Sequence, residues 1–424
     1  MGDIKILDYA KSVESSKNFG VDILNNKNVL SSYKDSLHSV ISKITQLPDN
    51  PKEETEVYQP DQYFVKMEQD YLNDPLLQMN GGFYVSCHYM VIRADYDTTY
   101  LNLGMRNYSG IKPYIITSDG QEFKDLTAAS LTITWDKTKD IDTLEDGTVV
   151  RWIKLYRQYE LSNYQYPCYP ENSTTNPSPL VFTLIDSNTE MSPQGGDSTV
   201  QSLGSCKYLQ YIIFGKSIHK FNSTNYAICK QNLRLECIKS YNPLSIVGRF
   251  VGNGCKNLKF IPKIISIEGG NTCIYSGNFK TLDLREVYID YTTSIFSYVS
   301  SELENTFLKI ENVLLDYEYQ RFTGFSSLFI KHLFIPKSKY GNTITITAPQ
   351  ATTLNTPTEF NNSLTLRYTT RLEKQSILRL FNNLKDLTGE TNKTLSLSNQ
   401  FNFDLTEEEL AIATNKNWTV TFIN

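Results

Sequence analysis

The sequence predicts a mainly β chain: an all-β module, then a repetitive solenoid, with a long helix before them and a mixed α/β segment after. Three observations carry this. A short motif recurs between Leu203 and Ile346, with Cys206 to Cys229 at 229 − 206 = 23 residues and Cys229 to Cys255 at 255 − 229 = 26. Apolar side chains alternate with period two in several runs between Phe83 and Ile185. Residues 19–47 instead place apolar side chains on a seven-residue step. Each period belongs to a different structure, so the chain divides where the period changes.

The chain has 424 residues, too many for one ordinary core, and the boundaries fall at 1–58, 59–199, 200–370 and 371–424. Its formal charge of −5, with no Lys/Arg cluster, argues against binding through a nucleic-acid backbone. No apolar run reaches the length of a membrane span. Met1-Gly-Asp-Ile-Lys-Ile6 has neither a hydrophobic signal region nor the Ser or Thr at position 6 that myristoylation favours. That predicts a chain made in a cytoplasm and not sent through the usual secretory route.

In the first segment Ile23, Leu30, Leu37 and Ile44 form one series, and Tyr33, Val40 and Leu47 continue a second that starts at Phe19. Alternating steps of three and four residues put both on one helix face, the pattern of a coiled-coil seam that would join copies of the chain. The plainer reading is a single amphipathic helix lying on its own domain. Pro48 ends the helix, and the acidic, proline-bounded stretch to Pro60 is a connector.

The second segment reads as a β-sandwich-like module. Phe83–Ile92, Leu131–Trp135, Val149–Tyr156 and Leu180–Ile185 are strand candidates, and Asp119-Gly120 and Asp146-Gly147 mark tight turns. Tyr156, Tyr159, Tyr164, Tyr166 and Tyr169 precede a loop rich in Pro, Asn, Ser and Thr. Exposed tyrosines there would stack on sugars or a protein partner; the structural alternative is that they pack the loop.

In the third segment the copies are Cys206-Lys-Tyr-Leu209, Cys229-Lys-Gln-Asn-Leu233, Cys255-Lys-Asn-Leu258, Phe279-Lys-Thr-Leu282 and Phe325-Ser-Ser-Leu328. Phe260-Ile-Pro262 recurs as Phe334-Ile-Pro336. A lone repeat cannot bury its apolar side, so the copies must stack and their ends must be covered. The aligned cysteines then occupy equivalent buried positions; the competing reading is an irregular β-sandwich. Five of seven cysteines fall here without a C-x-x-C pair, which points to core thiols and not to metal ligands.

The spacing is that of a leucine-rich repeat. Cys255-Lys-Asn-Leu258-Lys-Phe260-Ile261-Pro262 resembles the BspA-type repeat, in which Cys or Phe precedes a Leu-x-x-Ile-x-Ile-Pro run. The end of the chain, Leu372–Gly389, Thr394–Leu397 and Leu405–Val420, resembles the last segment of such arrays in fibre proteins of phages that infect Bacteroides, with Asn417 where most relatives carry Gly. The fold class is therefore a coiled-coil helix, a sandwich-like module, a leucine-rich-repeat solenoid and an α/β cap. Within that cap Leu372, Ile377, Leu380, Phe381, Leu384 and Leu387 recur at helical spacing, Thr406 and Glu409 form a capping box, and Trp418–Ile423 is a strand.

The resemblance implies a structural head- or tail-fibre protein on the virion surface, a homo-oligomer taken as a trimer by analogy. Other virion proteins would hold its N-terminal end, and a host surface glycan or protein would meet its repeats. It implies no enzyme, catalytic residue, cofactor, metal, nucleic acid or membrane insertion. The carboxylates from Asp283 to Glu318 read as ordinary outward charges. A bacterial surface adhesin with the same repeats and a capsule depolymerase remain as alternatives.

Overall fold

The computed structural model describes residues 57–423 except 103–112, 127–129, 140, 159–178, 188–189, 192–202, 204–205, 224–226, 270–272, 285, 292–294, 297–307, 316–319, 322–323, 327–329, 338–340 and 342. The heptad residues Ile23, Leu30, Tyr33, Leu37, Val40, Ile44 and Leu47 lie outside the described residues, as do Tyr159, Tyr164, Tyr166 and Tyr169. Pro60–Asn424 form one compact unit.

That unit opens with a helix where the sequence predicts only a connector and strands. α1 (Gln62–Asn73) is capped by Asp61, whose carboxylate accepts the Tyr63 N–H at 2.8 Å, and Pro75 follows its end. Tyr63, Phe64, Met67, Glu68 and Tyr71 are its buried residues and make one face. Phe64 stacks on Phe182 with centroids 5.1 Å apart, and Tyr71 meets Tyr89 edge-on at 6.1 Å. Pairs of this kind are worth about 0.5–1.5 kcal/mol beyond the area they bury.

Beneath α1 lies an antiparallel sheet in which Ser86–Arg93 sits between Val149–Arg157 and Leu180–Asp186. Tyr114–Thr117 extends it beyond Val149–Arg157. The predicted strands are found within a few residues, and the Asp-Gly turns place Gly120 and Gly147 at φ +83°. On the other side of the sheet Met90, Ile92, Ile153 and Leu155 share a core with Leu101 and Ile133 of a two-stranded sheet, Thr98–Asn102 with Ser130–Thr134. The module is thus an asymmetric sandwich, with two strands on one face and a helix on the other.

Leu180–Asp186 is buried along its whole length. On its free side it pairs in parallel with Tyr211–Phe214, which pairs in parallel with Cys237–Ser240. The module sheet therefore continues into a β-solenoid of about seven turns. A six-stranded parallel sheet runs from Glu190–Met191 through Lys220–Ser223, Leu244–Gly248, Ile264–Gly269 and Tyr288–Tyr291 to Gln320–Arg321. Four- and five-stranded parallel sheets complete the coil, the latter ending at Lys393–Ser398 and Trp418–Ile423. Inward residues stack in register, as with Phe221, Ile246, Ile267 and Ile289, all fully buried.

The copies at Cys206 and Cys255 mark corners, whereas Phe279 and Leu282 lie within the strand Gly277–Leu284 and Phe325 within Gly324–Ser326. The Leu209 N–H donates to the Cys206 carbonyl and the Leu258 N–H to that of Cys255, each closing a tight turn. Between them the equivalent turn is Asn232–Leu235, because the Leu235 N–H donates to the Asn232 carbonyl. Cys229 lies instead on a bridge ladder, Cys229–Val251–Ile274–Phe296, while Leu233 is 40% exposed. Buried Asn232 does more than a cysteine could: its amide donates to the Leu203 and Cys206 carbonyls.

At the far end α2 (Lys374–Asn383) and α3 (Glu407–Thr414) meet the last coils. α3 has the predicted capping box, and Asn417 takes φ +62°. The Lys416 ammonium donates to the carbonyls of Phe381, Asn382 and Leu384, satisfying the end of α2. Trp418 is 2% exposed, and its indole N–H donates to the Lys385 carbonyl at 2.9 Å.

Truncating Trp418 to Ala should cost about 3–5 kcal/mol, confined to the last coils of a stacked array. Calorimetry of Trp418→Ala should show a C-terminal transition shifted down while the module transition stays. A single unshifted transition would remove Trp418 from the cap.

Six described cysteines are buried thiols. Burial pushes the Cys237 and Cys273 thiols up to about 12. A thiol whose folded pKa is raised stabilises the fold fully below its unfolded value of about 8.5 and loses that contribution as pH climbs through the folded value. The native chain should resist thiol reagents at pH 8, and urea midpoints should fall between pH ~8.5 and ~12. Cys237→Ala with Cys273→Ala should flatten that fall; an unchanged slope would assign the alkaline loss to other groups.

Candidate functional site

Proline explains where one groove of the solenoid opens. Phe260 bridges Cys237 in the preceding coil, and the next strand begins only at Ile264, because Pro262 has no N–H to continue the ladder. One coil later Gly277–Leu284 runs eight residues without a break. The two coils are paired at Asn278, whose N–H donates to the Leu258 carbonyl at 2.7 Å, and then part. Gly277 permits this course: at φ +153° any Cβ there would stand 2.2 Å from the Phe279 ring.

The resulting groove encloses about 660 Å³ between Phe260–Ile264 and Thr281–Leu284. Lys259 and Lys263 line one wall and Asp283 and Glu286 the other. Lys263, Thr281, Asp283 and Glu286 are exposed. Chemically this is a cleft with opposite charges on facing sides, hydroxyl and amide groups between them, and an edge strand along one wall. Of the acidic stretch, Asp283, Glu286, Asp290 and Glu311 are described. Glu311 lies 3.9 Å from both Lys309 and Lys331. Among the described residues no group of three or more His, Cys, Asp or Glu could hold a metal ion, and no helix is long and apolar enough to cross a membrane.

Tyr156, which the sequence offers either as an exposed contact or as a packing residue, is 1% exposed. Its hydroxyl donates to Asp74 Oδ2 at 2.6 Å, beside the hydroxyl of Tyr89 on the same oxygen, and burial pushes its pKa up. The reason is α1, which the sequence reading omitted: its C-cap Asp74 sits over the strand and draws both tyrosines inward. Asp186 makes a second such centre. It accepts the Tyr71 hydroxyl at 2.5 Å and the Ser217 N–H at 2.9 Å, while burial raises its carboxyl above the ordinary range. Both networks hold α1 in place.

The signal for the solenoid groove was present in Phe260-Ile-Pro262, whose proline must interrupt a ladder, but sequence could not show that the next coil runs straight. Comparison with protein-family models, curated proteins and solved structures returns no match.

Glu286, at the groove rim, is held at φ +60°, a left-handed conformation that costs a non-glycine residue about 1–2 kcal/mol. Gly removes that strain but adds about 0.5–1 kcal/mol of unfolded-chain entropy. Glu286→Gly should therefore leave urea stability within about 1 kcal/mol of the parent, on the stabilising side. A clear loss would show that the carboxylate itself anchors the corner.

Proposed function

We propose that the chain is the structural subunit of a virion fibre. Its repeats, of the BspA leucine-rich type, present attachment surfaces, and its N-terminal heptads join copies. The observation that carries this reading is the parallel solenoid grown directly from the strand Leu180–Asp186. A stack of this kind places grooves and outward side chains at fixed intervals along a rigid support, which suits adhesion. The resemblance of Cys255–Pro262 to the BspA-type repeat, and of Leu372–Gly389 and Thr394–Val420 to the last segment of such arrays in phage fibre proteins, supports the same reading.

Each copy alone needs only weak affinity. Joining copies through Ile23, Leu30, Leu37 and Ile44 raises the effective concentration of every further contact. The end of the chain away from the repeats would meet other virion proteins, and the repeats a host glycan or protein.

Sedimentation of the full chain should give a small multiple of 48.6 kDa. Leu30→Asp with Leu37→Asp should bring it to the monomer, since unpartnered charges are costly in a buried seam. Antibody against the solenoid should also label intact particles at their appendages. A parent chain that sediments as a monomer, or unlabelled particles, would sink the proposal.

A further inference from the structure

A second groove, of about 450 Å³, lies between α1 and the outer part of the module sheet. Its floor carries Trp152 and Lys154, and its wall carries Gln69, Asp70 and Asn73 from α1. Trp152 differs from the other two tryptophans. Trp135 and Trp418 are 4% and 2% exposed, each indole N–H bonded within the fold, whereas Trp152 is only half-buried. A large aromatic left partly in solvent at the floor of a concave, polar-walled groove is characteristic of a binding surface.

We propose that this groove binds a neutral oligosaccharide, with one sugar ring stacked on Trp152 and its hydroxyls held by Gln69, Asp70 and Asn73. The assignment rests on the attachment reading and deepens it by naming a ligand class. Three features select this chemistry. Gln69 and Asn73 stand one helical turn apart on an exposed face of α1, so planar amide groups line the wall above the aromatic floor. Lys154 lies 3.0 Å from Asp70 and 5.0 Å from the Trp152 ring centroid, which fixes both groups while cancelling one negative charge. With Asp74 the lining still holds two carboxylates against one ammonium, a balance that disfavours uronic or sialic acids.

The length of the surface favours an oligosaccharide over a single ring. Tyr156 is four residues from Trp152 on the same side of one strand, about 13 Å away. Over it the half-buried Tyr84 and Tyr114 stack with centroids 5.8 Å apart, a second aromatic platform on the same sheet. A peptide strand is a poorer occupant. Val149–Arg157 is flanked by strands on both sides and offers no backbone edge, and the α1 wall is polar.

Tryptophan emission of the full chain tests this directly, because Trp135 and Trp418 are shielded. Chitotetraose, cellotetraose, maltotetraose and tetragalacturonate serve as probes, with calorimetry alongside. At least one neutral tetrasaccharide should shift the emission saturably, and tetragalacturonate should not. Trp152→Ala, and separately Gln69→Ala with Asn73→Ala, should weaken binding at least about tenfold, while Tyr288→Ala on the solenoid should not. The double variant changes only exposed helix residues, so it decides the matter if Trp152→Ala fails to fold. No neutral probe binding at millimolar concentration, equal binding of tetragalacturonate, or binding that survives the double variant would each overturn the assignment. Sedimentation and particle labelling read the fibre proposal separately, so either can fail while the other stands.

Discussion

A stack of parallel strands cannot start from nothing, because its first strand would face water with a row of unpaired N–H and C=O groups. Here that edge is supplied by Leu180–Asp186, the last strand of an antiparallel sheet. One side pairs antiparallel with Ser86–Arg93 and the other parallel with Tyr211–Phe214. The change of direction happens across one strand buried on both faces, and its sequence, Leu-Val-Phe-Thr-Leu-Ile-Asp, is correspondingly apolar on both sides but for Thr183 and Asp186. The module is accordingly the starting cap of the solenoid as well as a domain preceding it. At the other end α2, Lys416 and Trp418 close the apolar interior of the last coils, and Trp418–Ile423 is the terminal strand of its sheet.

α1 secures that junction. Phe64 covers both Phe182 and Tyr211, so one aromatic ring lies over the last module strand and the first solenoid strand together. One turn further, the Glu68 carboxylate accepts from Lys239 and Tyr241 in the next coil. Tyr71 then donates to Asp186 and accepts the Lys216 N–H. Room for this is left by Gly215: a Cβ there would stand 2.3 Å from that of Asp186. Breaking one member of such a buried network strands the others, at a cost of about 1–3 kcal/mol per unsatisfied group. The helix that makes the junction therefore also fixes the wall of the Trp152 groove within narrow limits.

What the sequence disclosed follows the strength of local periodicity. The strands at 86–93, 149–157 and 180–186, the capping box at Thr406 and Asn417 at the left-handed position were all legible, because each depends on near neighbours. α1 was not, although Phe64, Met67 and Tyr71 keep helical spacing; it is short, and the prolines around it resemble a connector. Cys229 misled for a different reason. A motif aligned by its cysteine made it equivalent to Cys206 and Cys255, while the residue equivalent to them at the corner is Asn232, which holds the turn by hydrogen bonding. Trp152 offered a usable sign that went unread. On an alternating strand it shares a side with Lys154, opposite Ile153, and an aromatic among outward polar residues calls for a covering element or a ligand.

Irregularity in the repeat is what gives this solenoid surfaces to use. Val251 pairs with Ile274, a step of 274 − 251 = 23 residues, whereas Gly277 pairs with Leu308, a step of 308 − 277 = 31. Coils of equal length would stack flush and leave only a flat outer ladder. Where a proline corner is followed by a straight eight-residue strand, neighbouring coils separate, and the backbone edge and side chains between them become a cleft. The inward residues cannot drift in the same way, because Phe221, Ile246, Ile267 and Ile289 must stay in register to bury one another. Selection can thus lengthen or bend a single coil to shape a groove while the core ladder holds the array together, so groove shape and stability rest on different residues of the same repeat.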